Sequence, residues 1–304
     1  MTIAFFSDVH GNLPALEAVL ADMAQRRPDM IFCLGDLVGY APWPNEVVNG
    51  VRRRGIPTLA GNYDQGIGLA SENCGCAYKT DAEKDLGAQS IAYTNKEVGN
   101  EERRYLRLLP KHMRLEFQEE PCTLNLLMVH GSPRKINEYP FADRPEASFL
   151  RVLAEANADV LLFGHTHKPY HRTFAYEHEG ETRYGRALNS SSVGKPKDGD
   201  PRAAYQLLHL DENTTRTDPT SVRSELIRVA DFAGVGGEIR GQVEPAGDAG
   251  TGDVFLAVNT DFDPDLYLSN GGLINQPIDL GVIFLVNLAA ANEVAHLIIG
   301  GEQE

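Results

Sequence analysis

The sequence is short of cysteine, of positive charge and of long apolar runs, and each shortage excludes a class of protein. Its four cysteines, Cys33, Cys74, Cys76 and Cys122, are too few and too scattered for a disulfide framework, and Cys74-x-Cys76 has no second pair to complete a zinc site. They read as reduced thiols. The most apolar run, Leu280 to Ala291, falls short of the about eighteen uncharged apolar residues that a membrane helix needs, so no membrane partner is expected. Lys and Arg number 28 against 43 Asp and Glu, for a formal net charge of −15. Holding long nucleic acids requires clustered Lys and Arg to neutralise phosphates, so that partner is excluded too. The deficit is uneven: from Ser221 onward three Arg and no Lys face thirteen acidic residues, −10 of the −15, which leaves −5 on the first 220 residues. The opening segment has no basic stretch ahead of its apolar residues and carries Asp8 where a signal peptide would stay apolar. A cytoplasmic location is expected.

What is present is the composition of an ordinary globular protein, 42% hydrophobic and 23% charged over 304 residues, enough for one large α/β domain with an appendage. Thr2 to Ser7 reads as a strand. It leads through Gly11 and Asn12 into a helix from Leu13 to Arg26, where Leu16, Val19, Leu20 and Met23 recur at helical spacing. A strand at Met30 to Leu34, a helix at Pro44 to Arg54 and a short strand at Ile56 to Ala60 extend this to βαβαβ, which implies parallel strands with functional loops at their C-terminal ends. A glycine-rich loop follows. Further on, the patterns predict helices at Asp81 to Asn95, Glu101 to Leu109 and Pro145 to Ala156, and strands at Met113 to Phe117, Leu124 to Val129 and Val160 to Phe163. Past His167 short alternating runs at Tyr170 to Tyr176, Thr182 to Leu188, Ala203 to Leu210 and Ser224 to Val229 predict antiparallel strands that complete a second sheet. The reading divides the chain into a main domain over 1–230, a Gly- and Ala-rich acidic linker over 231–253 and a small β-rich C-terminal module over 254–304.

Each strand of the expected first sheet ends in a loop with oxygen or imidazole donors: Asp8-Val9-His10, Gly35-Asp36, Gly61-Asn62, His130-Gly131 and Gly164-His165-Thr166-His167. A pair of divalent cations wants this mixture of carboxylate, amide oxygen and neutral imidazole, with one carboxylate able to bridge and glycines that allow close backbone approach. Any one of these motifs is common by chance. Five of them in order, each after a predicted strand, are not.

These motifs resemble those of the calcineurin-like metallophosphoesterases, D-x-H, G-D, G-N-H-[DE], H-G and G-H-x-H in this order, and the resemblance covers about residues 1 to 230. It implies a four-layer α/β/β/α sandwich of two mixed sheets flanked by helices, to which the sequence adds a β-rich C-terminal appendage. It also implies that Asp8, His10 and His167 hold a first metal, that Asn62, His130 and His165 hold a second, and that Asp36 bridges them. The implied activity is hydrolysis of a small phosphorylated substrate by a hydroxide shared between the metals, which attacks phosphorus in line. Of the metals such enzymes use (manganese, iron, nickel, cobalt or zinc), the O/N donor set without thiolate favours Mn²⁺. The chain departs from the pattern in one place: Tyr63 stands where the family has a His, the candidate general acid, and Asp64 follows it. A phenol is a poor proton donor to an alkoxide at neutral pH, so the departure favours a phosphodiesterase or good leaving groups over a phosphomonoesterase; a dinucleotide polyphosphate hydrolase and a non-catalytic metal-binding scaffold are the alternatives. Arg134 and Lys135, close after His130, and Ser192 and Lys195, in a loop similar to the family's N-x-x-S-V-G, are candidate phosphate contacts. Asp261, Asp263 and Asp265 alternate in the tail without the spacing of an EF-hand, and read as a solvated acidic turn.

Overall fold

The computed structural model describes residues 1–119, 122–229, 281–286 and 297–298. Two sheets stack face to face. The smaller is built from β1 (Thr2–Phe6), β2 (Met30–Cys33), β8 (Ala203–His209) and β9 (Arg223–Val229), in the order β2-β1-β8-β9. Only the β1–β2 pair is parallel. The larger contains β3 (His112–Glu119), β4 (Cys122–Val129), β5 (Val160–Phe163), β6 (Tyr170–His178), β7 (Glu181–Asn189), β10 (Gly281–Val286) and β11 (Leu297–Ile298), in the order β11-β10-β3-β4-β5-β7-β6. Strands β4, β5 and β7 run parallel at its centre.

Side-chain alternation explains the layering. Successive residues of a strand point to opposite faces, so Ile3 and Phe5 meet Leu126, Met128, Val160 and Leu162 of the other sheet in one buried cluster, while Ala4 and Phe6 turn outward into a second. There they meet α1 (Leu13–Arg26) and α2 (Pro44–Arg53) through Leu16, Val19, Val47 and Val51. On the far side of the larger sheet, Leu127, Leu161 and Phe163 pack against Phe149, Val152 and Leu153 of α6 (Glu146–Glu155). The chain is thus a four-layer α/β/β/α sandwich. At about 1.5–3 kcal/mol for each fully buried large apolar side chain, these three clusters supply the rigidity against which the loops are set.

Helix α1 shows how local signals fix the boundaries. Asn12 accepts a hydrogen bond from the Ala15 amide, a proline occupies the first turn, and the helix stops at Arg27, which adopts a left-handed conformation (φ 53°) and donates its N–H to the Met23 carbonyl. Elsewhere the structure differs from the sequence reading in three places. The run from Ile56 to Ala60 makes a single parallel bridge, Cys33 to Thr58, rather than a strand, because Pro57 has no N–H to extend a ladder. The glycine-rich loop that follows opens with a short helix, α3 (Asn62–Gly68), whose start is closed by Asp64 accepting the Gly61 amide at 3.0 Å. It is followed by α4 (Asp81–Glu97) and α5 (Asn100–Leu108). The strands are not shared between the sheets as expected: β4 and β5, whose ends carry His130 and His165, lie not with β1 and β2 but in the larger sheet, where β6 and β7 extend it beside β5, whereas β8 and β9 cross to the smaller one beside β1. At the other edge β10 lies parallel to β3, from Gly281 opposite His112 to Val286 opposite Phe117. The linker 231–253 and the Asp261, Asp263 and Asp265 turn lie outside the described residues. No helix among the described residues is long and apolar enough to cross a membrane.

Candidate functional site

The sequence motifs come together at one end of the sandwich, from both sheets. Asp8 and His10 follow β1 and Asp36 follows β2, while His130 follows β4 and His165 and His167 follow β5. The ligand loops therefore face one another across the inter-sheet core. Their backbone is unusual: Asp8 (φ 56°), His10 (51°), Asp36 (55°), His165 (63°) and His167 (56°) are all left-handed. Each such residue costs of order 1 kcal/mol and persists only where the surroundings over-determine it, as functional sites do. Close approach explains two glycines. A Cβ on Gly61 would collide with Asp36 Oδ1, and one on Gly164 with Ser7 Oγ and Asp8 Oδ2.

Two groups of donors result, Asp8 with His10 and His167, and Asp36 with His130 and His165, the donor atoms of each group lying within 4.8 Å of one another. The hydrogen bonds behind the rings decide which nitrogen faces inward. Nδ1 of His10 faces the Val38 carbonyl at 3.1 Å, Nδ1 of His130 the Leu34 carbonyl at 2.8 Å, and Nδ1 of His167 the Lys195 carbonyl. A carbonyl can only accept, so each Nδ1 carries a proton and each Nε2 is turned into the site, where an unprotonated Nε2 offers its lone pair to a cation. Nε2 of His10 and of His167 are 3.2 Å apart, and Nε2 of His130 lies 3.2 Å from Asn62 Oδ1, whose amide nitrogen is turned away to donate to the Cys74 carbonyl. Asp8 Oδ1 and His165 Nε2 are buried without a hydrogen-bond partner. Such a concentration of acceptors is stable only around positive charge, and the donor set fits a pair of divalent cations. Asp36 stands between the two groups, with Oδ2 3.3 Å from His130 Nε2 and 3.8 Å from His10 Nε2.

The electrostatics agree. Burial alone would raise the Asp8 carboxyl, but His167, His130 and His10 hold it far below the usual carboxylate range. Burial likewise opposes ionisation of Asp36, and His130 and His10 outweigh it. Both carboxylates stay charged. Desolvation lowers His10 to about 4 and His165 to about 3, so these rings are neutral. His130 moves the other way, to about 9, because Asp36 and Asp8 overcome its desolvation. One imidazole thus takes up a positive charge that the two carboxylates demand, and a cation would supply it instead.

A sequence profile for the calcineurin-like phosphoesterase superfamily domain matches residues 1–213. The chain belongs to this family. An uncharacterized protein of Methanocaldococcus jannaschii is 32% identical over 238 residues, 75% of this chain and 86% of that one. The phosphodiesterase YfcE of Escherichia coli is 26% identical over 212 residues, 69% of this chain and 89% of that one. Among solved structures, a metallophosphoesterase from Sphaerobacter thermophilus superposes with a TM-score of 0.53 at 30% identity, covering 75% of this chain and 89% of its own. The protein is a metal-dependent phosphoesterase of mixed α/β fold.

Around the phosphoesterase centre the remaining candidates fall into different places. Asp64 is fully buried and accepts from the Leu37 and Gly61 amides at 2.9 and 3.0 Å. It braces the loops of Asp36 and Asn62, and burial with the charge of Asp36 raises its carboxyl to about 7. Tyr63 lines the cleft yet is only 1% exposed; its ring meets the edge of His10 at 5.3 Å and its hydroxyl lies 3.3 Å from that of Tyr78. Burial pushes its phenol far up. Its backbone amide donates to Asp36 Oδ1 at 2.8 Å. Ser192 is fully buried, with Oγ donating to the Asp8 carbonyl at 2.7 Å and accepting the Lys195 amide at 2.8 Å, so it positions a ligand loop. Lys195 does reach the cleft, its ammonium 3.6 Å from the Tyr40 ring centre. Arg134 and Lys135 do not. They line another cavity, about 470 Å³, with Lys111 and Arg114, and Arg134 pairs with Glu138.

The cleft over the ligands has a volume of about 380 Å³. Its walls add residues that the sequence reading passed over: Tyr40, Cys76, Tyr78, Tyr139, Phe141 and Lys168. These stand on irregular loops without periodicity or motif. Only Lys168, next to the G-H-T-H motif, had a neighbour that could have pointed to it.

Proposed function

We propose that the protein is a dinuclear-metal-dependent phosphodiesterase of small phosphorylated compounds, with Mn²⁺ as the preferred metal. The observation that supports this most is the inward convergence of acceptor atoms from both sheets, with Asp36 between the two donor groups. Asp8, His10 and His167 would hold one ion and Asn62, His130 and His165 the other. Bound there, two divalent cations would lower the pKa of a coordinated water and neutralise phosphoryl oxygens. The chain's own part is to fix the donors before substrate arrives. The backbone carbonyls of Val38, Leu34 and Lys195 orient three rings, Asp64 pins the loops of Asp36 and Asn62, and Ser192 pins that of Asp8. Tyr63 is a poor acid in this setting, since its buried phenol holds its proton, so a leaving oxygen takes its proton from water, and diesters are favoured over alkyl monoesters. The net charge of −15 argues against long nucleic acids as substrate. With Cys33, Cys74 and Cys76 as free thiols, a cytoplasmic location is part of the same proposal.

The test compares bis(p-nitrophenyl) phosphate with p-nitrophenyl phosphate and an alkyl monoester, with Mn²⁺, Ni²⁺, Zn²⁺ or chelator. The expected result is faster turnover of the diester, highest with Mn²⁺ and lost with chelator. A preference for alkyl monoesters, or turnover that survives chelation, would overturn the proposal.

A further inference from the structure

The walls of the cleft differ in chemistry from one end to the other. Beside His167 stand three lysines whose positions are tied to that ligand: Lys168 follows it in the chain, the Lys195 carbonyl accepts its ring N–H, and the Lys197 amide donates to its carbonyl at 3.0 Å. None of the three forms an ion pair within the described residues. Glu83 on the rim accepts the Lys79 amide at 2.6 Å, and its charge also acts on Lys195 and Lys197. Three lysines on one wall of the cleft, on a chain of net charge −15, are more than the single negative charge of a phosphodiester needs. Beside His165 the wall is an open aromatic shelf, whereas near His10 the Tyr63 ring is buried and the Tyr40 face is covered by the Lys195 ammonium. Tyr139 lies 4.0 Å from that ring, ring centre to ring centre, and Phe141 stacks on Tyr139 at 5.7 Å and 18°. Phe141 is 41% exposed, a large apolar face left open next to a buried polar centre.

We propose that the cleft is shaped for a short nucleotide diester that carries a further phosphate. Its nucleobase stacks on the Tyr139–Phe141 shelf, the diester lies over the two donor groups, and the extra phosphate sits among Lys168, Lys195 and Lys197. Aromatic faces hold bases of any sequence, and lysines bind phosphate as point charges. The polarity of the cleft fixes the orientation of the substrate: base at the His165 end, extra phosphate at the His167 end. In the reaction water oxygen bonds to phosphorus, the phosphorus–oxygen bond to one sugar breaks, and a proton from the water ends on that sugar oxygen. The inference rests on the phosphodiesterase reading and adds to it the class of substrate.

The test measures kcat/KM for two adenosines joined by one 3′–5′ diester, for the same compound with a 5′-phosphate, and for a 5′-phosphorylated analogue lacking the base downstream of the diester, with bis(p-nitrophenyl) phosphate as reference. The 5′-phosphate is expected to raise kcat/KM about tenfold, mainly through KM, as charge-assisted contacts do. The combined Lys168→Ala and Lys197→Ala variant should cut that ratio to about twofold, and the Arg versions should restore it. Phe141→Ala should remove most of a roughly tenfold preference for the compound with the base, the scale of one stacking contact. Equal rates with and without the 5′-phosphate, or ratios unmoved by these variants while bis(p-nitrophenyl) phosphate is still hydrolysed, would overturn the inference alone. Failure of bis(p-nitrophenyl) phosphate as well would overturn the phosphodiesterase reading and this inference with it.

Discussion

The floor and the rim of the same cleft are built on opposite principles. The floor is backbone-made: Asp8, His10, Asp36, His165 and His167 are buried, left-handed in conformation, and oriented by main-chain carbonyls and amides. The rim is side-chain-made. Lys168, Lys195, Lys197 and Phe141 reach into solvent from loops, and one carboxylate, Glu138, gathers Ser132, Arg134 and Arg144 to brace the loop that leads into Tyr139 and Phe141. The difference teaches where tolerance lies. A floor donor cannot move without moving strained backbone, whereas a rim side chain can be exchanged at the cost of its own contacts.

Three substitutions probe this contrast. Asp36→Asn removes a floor charge placed to serve both donor groups, and should lower kcat/KM by more than about a hundredfold, since even outer partners of metal ligands cost 10–100-fold. A near-normal rate in steady-state assays with saturating Mn²⁺ would show that Asp36 does not bridge. Glu138→Gln tests the brace of the rim. Burial would raise this carboxyl, but Arg134, Ser132 and Arg144 hold it at about 2. Because its folded pKa lies below the ordinary value near 4.5, its stabilisation is present above pH 4.5 and lost as pH falls toward 2. The variant should therefore be about 1–2 kcal/mol less stable than wild type at pH 7, and the gap should close in denaturation curves taken at successively lower pH. A gap that does not change with pH would mean the charge is not what matters. Tyr63→Phe is expected to have the smallest effect: a stability loss of about 0.5–1 kcal/mol for the hydroxyl's contact with Tyr78 and less than about twofold in kcat/KM on a diester. A drop of more than about tenfold would place the Tyr63 hydroxyl on the substrate and move it from floor packing to catalysis.

The same contrast explains what could be read from the sequence. Floor residues follow strands, and a strand end with Asp, Asn or His beside Gly is visible as a local pattern; the strand from Val160 to Phe163 and the helix from Leu13 to Arg26 were read with the bounds the structure gives. Glycine misled once, where Gly66 and Gly68 suggested a loop and Asp64 instead closes a helix start on the Gly61 amide. Strand assignment to sheets could not be read either, because the alternation of β8 is the same whether it pairs with β1 or with β7. Most rim residues leave no local trace; Lys195, in the loop similar to N-x-x-S-V-G, and Lys168, beside the G-H-T-H motif, are the exceptions. Arg134 and Lys135 looked like phosphate contacts from their distance to His130 along the chain, but the turn in which the Ser132 amide donates to the Lys135 carbonyl carries them toward the other cavity. Tyr139 and Phe141 meet His165 only through the fold.

The central claim is that the floor is a paired metal site, and it is tested most directly by counting ions. Chelator-stripped protein, equilibrated by dialysis against Mn²⁺ and assayed for metal per chain, should hold two ions in the wild type and no more than one in Asp36→Asn. A wild-type protein that takes up fewer than two, or an Asp36→Asn variant that still takes up two with unchanged affinity, would contradict the account.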